Sequence, residues 1–210
     1  GDNHTCALKT DGTVYCWGNN NLGQLGDNTT TQKLTPVQVC NVGSTNCTTN
    51  PLTGVSYISA GHQSYTCALK TDGTVYCWGY NGQGQLGDNT ITQRNTPVQV
   101  LNVGVTGNFA GASQISAESK HTCALKTDGT VYCWGNNSYG QLGVADNTTQ
   151  RVTPVQVLKG AASGDTTYLG DGTIKVSQIN TGDNHTCALK TDGTVYCWGY
   201  NSYGQLGDNT

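Results

Sequence analysis

The thirteen-residue string C-A-L-K-T-D-G-T-V-Y-C-W-G stands at 6–18 and returns unchanged at 67–79, 123–135 and 187–199. A segment printed four times in 210 residues makes the chain one array of like units, not an assembly of unlike domains. The string holds eight of the ten cysteines and all four tryptophans. Its first cysteines, at 6, 67, 123 and 187, are 61, 56 and 64 residues apart. That period is long for an ankyrin or leucine-rich unit and suits one four-stranded propeller blade with generous loops. The expected units are about 1–61, 62–117 and 118–181, with a partial unit at 182–210.

Composition agrees with an all-β array. Charged residues are 11% of the chain, the net charge is −3 and there are 29 glycines. This is neither the basic footprint of a nucleic-acid binder nor the make-up of a long-helix protein. Threonine-rich, glycine-rich sequence of low charge favours short strands and tight turns. No apolar run approaches the roughly 18 residues that cross a bilayer, so no membrane-spanning segment is expected. The chain has no methionine and no visible signal peptide, and reads as processed or excised from something longer.

Within each unit, C-A-L-K and T-V-Y-C alternate as strands around Asp-Gly, where glycine tolerates positive φ at no steric cost. A two-residue turn would set Cys6 opposite Trp17. A three-residue turn over Thr10-Asp11-Gly12 pairs Leu8 with Val14 and Cys6 with Cys16, placing both sulfurs and both aliphatic side chains on one face. The second register predicts disulfides Cys6–Cys16, Cys67–Cys77, Cys123–Cys133 and Cys187–Cys197. Zinc is the competing reading, but nine intervening residues are not a tight C-x-x-C spacing and no second pair completes a site. The upstream histidine (His4, His121, His185), the other ligand on offer, becomes Tyr65 in the second copy, and a hydrogen-bonded structural role suits it better than that of a base. Cys40 and Cys47 are expected to form a fifth, local bridge. Ten paired cysteines imply an oxidising compartment, extracellular or at the cell surface.

After each of the first three hairpins comes T-P-V-Q-V, at 35–39, 96–100 and 153–157, reading as a short strand whose proline belongs at an edge or start. Further strands are expected at 55–60, 113–117 and 176–179, making about four per period. The loop 159–175 is the longest, and an extra hairpin is expected about Gly170-Asp171-Gly172.

Little of this carries catalytic chemistry. Gly82-Gln83-Gly84-Gln85-Leu86-Gly87 spells a dinucleotide fingerprint, yet its sibling copies lack the first glycine and no helix is expected after it. Asp27, Asp88, Asp146 and Asp208 lie in turns that Asp and Asn stabilise unaided, so no metal is assigned. There is one glutamate, Glu118, and no nucleophile–base set; neither an enzyme nor a cofactor is expected. Asn-x-Ser/Thr triplets stand at Asn3, Asn28, Asn46, Asn136, Asn147 and Asn184, as possible glycan acceptors.

The segment I-S-A-G-x-x-H-T-C-A-L-K-T-D-G-T-V-Y-C-W-G-x-N-x-x-G-Q-L-G resembles the repeat of the regulator of chromosome condensation family. The resemblance covers essentially the whole chain, and its W-G-x-N-x-x-G-Q-L-G portion is the most specific. It implies a β-propeller, usually of seven four-stranded blades, in a family that spans a nuclear guanine-nucleotide exchange factor and secreted bacterial β-lactamase inhibitors. The cysteine-paired form resembles the secreted bacterial or archaeal branch. Two departures stand out: an extra residue in His62-Gln63-Ser64-Tyr65 and a low repeat count. Residues 182–210 match 1–29 at 26 of 29 positions. Three periods plus a half imply either a window of a longer array or head-to-tail self-association into a filament.

Identical positions build the scaffold, so variable ones around W-G-x-N-x-x-G are the candidate partner surface: Asn19, Leu22, Tyr80, Tyr139, Tyr200 and Tyr203. Tyrosine among Asn, Ser and Gly offers amphipathic area with adaptable hydrogen bonding; packing between blades is the competing role. The expected function is a non-catalytic extracellular module binding a protein or cell-surface partner. A filament or coat subunit is the alternative.

Overall fold

A computed structural model describes residues 1–146, 149–159 and 167–209. Among the described residues, fourteen strands form four antiparallel sheets. β1 (His4–Leu8), β2 (Val14–Gly18) and β3 (Lys33–Gln38) make the first. β4 (Val55–Gly61), β5 (Tyr65–Lys70), β6 (Val75–Gly79) and β7 (Arg94–Gln99) make the second, and β8 (Ala112–Glu118), β9 (His121–Lys126), β10 (Val131–Gly135) and β11 (Arg151–Gln156) the third. β12 (Val176–Thr181), β13 (His185–Lys190) and β14 (Val195–Gly199) complete the fourth. No α-helix occurs among the described residues, and none is long and apolar enough to cross a membrane.

The hairpin register follows the three-residue turn. Leu8 faces Val14, Cys6 faces Cys16, and the Lys9 amide donates to the Thr13 carbonyl. Gly12 takes φ 79°, and the Asp11 carboxylate accepts from the Thr13 amide and hydroxyl. All four hairpin cysteine pairs are bonded, with Cα atoms 4.1 Å apart, and Cys40 is bonded to Cys47. Closing an eleven-residue loop adds about 3 kcal/mol in the chain-entropy account. On the other face of each hairpin a lysine lies over a tyrosine, as Lys126 does over Tyr132 at 4.8 Å. The string thus presents sulfur and aliphatic groups on one face and a cation–aromatic pair on the other, the face that also carries Ala68 and Trp78 into the seam with the preceding sheet.

The proline strand begins earlier than T-P-V-Q-V suggests. Cys16 pairs with Val37, but two residues on Gly18 pairs with Lys33, four residues back. Pro36 falls in this shifted stretch of an edge strand, where no ladder bond from its nitrogen is needed. Around Gly170-Asp171-Gly172 there is a turn, not a hairpin: the Asp171 amide bonds the Tyr168 carbonyl, and the local pairing is a bridge between Leu158 and Tyr168. Residues 160–166, in the same loop, lie outside the described residues.

The cores lie between sheets. Val14, Cys16, Leu25 and Leu52 meet Ala68 and Trp78 of the second sheet; the second and third, and the third and fourth, repeat the arrangement around Trp134 and Trp198. The hydrogen bonds across these seams are the same three times. The Gln24 backbone carbonyl accepts from the Trp78 indole (2.9 Å) and the Thr66 hydroxyl (3.1 Å). Gln85 does the same for Trp134 and Thr122, and Gln141 for Trp198 and Thr186. Behind each carbonyl sits a glycine with no room for a side chain: a Cβ on Gly87 would lie 2.8 Å from the Trp134 indole nitrogen. G-Q-L-G is therefore a socket for the next blade's tryptophan.

The histidine ahead of the hairpin completes the seam. His121 Nε2 lies 2.9 Å from Thr186 Oγ1, whose proton is committed to the Gln141 carbonyl, so Nε2–H donates. His121 Nδ1 is buried without a partner, and so is His4 Nδ1. Burial holds the two imidazoles neutral, at about 3 for His121 and about 4 for His4. Tyr65, in the histidine's place, puts its hydroxyl 2.6 Å and 2.7 Å from the carbonyls of Glu118 and His121.

Candidate functional site

The W-G-x-N-x-x-G loop leaves β2, β6, β10 and β14 at a glycine that must be a glycine: a Cβ on Gly79 would press on the Ser64 carbonyl, at φ 101°. Inside the loop the invariant asparagine is the frame. Asn81 donates to Asp88 and to the carbonyls of Thr90 and Thr92, and its side-chain oxygen accepts from the Leu86 amide. The aspartates that follow are consumed by the turn. Asp88 accepts from the Thr90 amide and hydroxyl through one oxygen and from Arg94 through the other.

The invariant glutamine braces the variable positions. Gln24 Oε1 accepts from the Leu22 amide, and Nε2 donates to Asn19 Oδ1 at 2.7 Å. Gln141 repeats this with the Tyr139 amide and Asn136 Oδ1 at 2.8 Å. In the second blade Gln85 Oε1 accepts from the Gln83 amide, but Tyr80 stands where the first and third blades have asparagine, as Tyr200 does in the fourth. Gln85 Nε2 is consequently buried with no acceptor. The tyrosine leaves a socket residue unsatisfied.

Along the array the variable positions form one row. At the last two junctions the third x of one blade meets the first x of the next: Gln83 accepts from Asn136 at 2.7 Å, and the Tyr139 and Tyr200 rings lie 4.8 Å apart. Tyr200 in turn stacks edge-on with Tyr203 at 6.1 Å. Tyr203 is 88% exposed and Tyr139 49%, while Tyr80, Tyr200, Asn19 and Leu22 are half-buried. The structure thus brings Tyr139, Tyr200 and Tyr203 together, gives Asn19 to its own loop, and adds Gln83 and Asn136 to the row. Sequence reasoning missed these two because an amide pair has no signature of its own.

A hollow of about 610 Å³ adjoins the cluster, lined by Tyr139, Val144, Leu158, Tyr196, Trp198 and Leu206. It runs along the open side of β14, where the matching residues of β6, Tyr76, Cys77 and Gly79, pair with β7. A second concavity, about 500 Å³, lies where β4, β8 and β12 run side by side and is lined by Ser56, Tyr57, Gln114, Gln178 and Asn180.

The model of the RCC1-like domain matches residues 1–210, the full described array and its tails. The chain belongs to the RCC1-like family. The ultraviolet-B receptor UVR8 of Arabidopsis thaliana is 33% identical over 207 residues, covering 99% of this chain and 41% of the receptor. The protein pim1 of Schizosaccharomyces pombe is 33% identical over 216 residues, covering 95% and 36%. Among solved structures, human WBSCR16 shares 27% identity at a TM-score of 0.76, covering 99% of this chain and 48% of that one. Prp20p of Saccharomyces cerevisiae, at 22% identity and a TM-score of 0.74, covers 100% and 46% and shows the fold alone. The RCC1-like chain spans less than half the length of these relatives. Its four sheets are propeller blades, joined by the Gln–Trp seam.

Proposed function

We propose that this RCC1-like array is a non-catalytic protein-binding module working outside the cell or at its surface. Its partner surface is the row that includes Asn19, Leu22, Tyr80, Tyr139, Tyr200 and Tyr203. The observation that carries the proposal is Tyr80. It occupies a position where asparagine satisfies the socket glutamine in the first and third blades, and it strands Gln85 Nε2; a residue that costs stability at a surface loop is there for what it presents. The exposed Tyr139–Tyr200–Tyr203 cluster supplies large amphipathic area of the same kind. Five disulfides suit an oxidising compartment. Yeast Prp20 is itself seen bound to Kap60, and its binding to Gsp1p and histones is described, so relatives use this scaffold to hold proteins.

The test is retention on intact producing cells of the labelled full-length protein beside a Tyr139→Ser, Tyr200→Ser, Tyr203→Ser variant. Retention of the first and release of the second is expected; equal retention refutes the surface. A second reading is head-to-tail self-association through the Gln–Trp seam, favoured by its threefold repetition with identical partners. A monomeric mass for the full-length protein in solution would dismiss it.

A further inference from the structure

Ahead of each hairpin a short segment leads into its first strand: residues 1–4, 61–65, 118–121 and 182–185. Three of these turns open on glycine, at Gly1, Gly61 and Gly182, where an added Cβ would fall on the ring of His4, Tyr65 or His185. The third blade instead carries Glu118, the chain's single glutamate. The second turn is one residue longer than the rest and presents His62. These two departures from an otherwise uniform repeat meet. His62 Nε2 lies 2.8 Å from Glu118 Oε1, while Nδ1 of the same ring faces Asp2 at 3.4 Å and Asp183 at 3.7 Å. One imidazole and three carboxylates, one from each sheet's leading turn, converge on one point.

We propose that His62, Glu118 and Asp183 bind one divalent first-row transition ion of the Zn²⁺ class. Their donor atoms all lie within 4.8 Å of one another. Bonds of about 2.1 Å set neighbouring ligands roughly 3.4 Å apart, so half-exposed side chains need only small rotations to close on an ion. The donor set selects the class: imidazole suits Zn²⁺, Ni²⁺ or Cu²⁺, whereas Ca²⁺ and Mg²⁺ take oxygen. The charge points the same way: three carboxylates gather around one imidazole, and a dication would offset their mutual repulsion. Asp2, beside Nδ1, is placed to accept the proton of that nitrogen and fix the ring while Nε2 ligates. A plain surface ion pair gives little by itself and explains neither the inserted histidine nor the lone glutamate. A bound ion ties turns of the second, third and fourth blades at one point, an assignment that does not rest on the tyrosine surface.

The experiment is equilibrium dialysis of the full-length protein against Zn²⁺, Ca²⁺ or Mg²⁺ at physiological ionic strength, with metal content measured by mass spectrometry. His62→Gln, Glu118→Gln and Asp183→Asn are compared with Asp11→Asn, a turn carboxylate elsewhere on the surface. One equivalent of Zn²⁺ is expected in the parent and in Asp11→Asn, with affinity at least ten-fold weaker in His62→Gln and Asp183→Asn. Zn²⁺ should raise the melting temperature of the parent and not of His62→Gln, whose metal-free melting temperature stays unchanged. Absence of Zn²⁺ uptake, uptake that survives His62→Gln, or preference for Ca²⁺ overturns the proposal.

Discussion

Replacing Tyr80 with asparagine should make this protein more stable, although it removes a large aromatic residue. In the first and third blades an asparagine at this position accepts from the buried glutamine at 2.7 Å and 2.8 Å. In the second, Gln85 Nε2 has no acceptor. A buried polar group left unsatisfied costs about 1–3 kcal/mol. Against that stands the ring's own packing. Tyr80 is half-exposed and lies over Gly82, where an added Cβ would meet its hydroxyl, so the loss of apolar burial is about 1 kcal/mol. The net gain is about 1 kcal/mol, or about 2–4 °C in a chain of this size.

The reciprocal change separates the two effects. Asn19→Tyr removes the acceptor of Gln24 and adds a ring, so it should destabilise by about 1–3 kcal/mol. Urea unfolding monitored by tryptophan fluorescence, with disulfides intact, measures both. If Tyr80→Asn is less stable than the parent while Asn19→Tyr is neutral, packing outweighs amide satisfaction and the account of Tyr80 as a costly, presented residue fails.

Three further outcomes follow from the seam and the hairpin. His4 and His121 have folded values depressed to about 4 and about 3, so the unfolded chain takes up protons first. Stability should be full above about pH 6.5 and fall toward pH 4 by about 1.4 kcal/mol per pH unit for each imidazole. Urea midpoints between pH 7 and 4 check this, and His121→Gln should remove about half the slope. Gly87→Ala would place a Cβ 2.8 Å from the Trp134 indole nitrogen at φ 69°, costing about 3 kcal/mol by thermal unfolding; an unchanged melting temperature would deny the socket. Replacing Cys67 and Cys77 together with alanine should lower the free energy of unfolding by about 3 kcal/mol, and a loss near zero would mean that the strand pairing alone holds the hairpin.

The parts of this fold legible in the sequence are those whose causes are local. Alternation, Asp-Gly and the cysteine spacing determine one hairpin register between them, because a shift of one residue would turn every inward side chain outward. The seam is decided elsewhere. Its acceptor is the backbone carbonyl of Gln24, Gln85 or Gln141, and a carbonyl is carried by every residue type, so no side-chain pattern announces it. The buried plugs Leu52, Phe109 and Leu169 were hidden for a different reason. Each sits in a loop of different length and composition, and each is identified only by its amide bonding back to Val39, Val100 or Val157.

The candidate site divides along the same line. Variation among copies picked out Tyr139, Tyr200 and Tyr203, but which copies touch depends on the blade-to-blade step: the third x of one loop reaches the first x of the next, across more than fifty residues of chain. That step also explains why sameness and difference carry unlike information here. Three seams with identical partners show what the scaffold requires at each position, so a residue that breaks the pattern can be weighed against its own siblings. Tyr80 departs from the asparagine of the first and third blades and leaves a buried amide unpaired; His62 and Glu118 break the pattern and meet at 2.8 Å. Random drift in an exposed turn gives no reason for two departures in different blades to converge on one point. Function in this array is therefore to be sought where the repeat is violated at a physical cost.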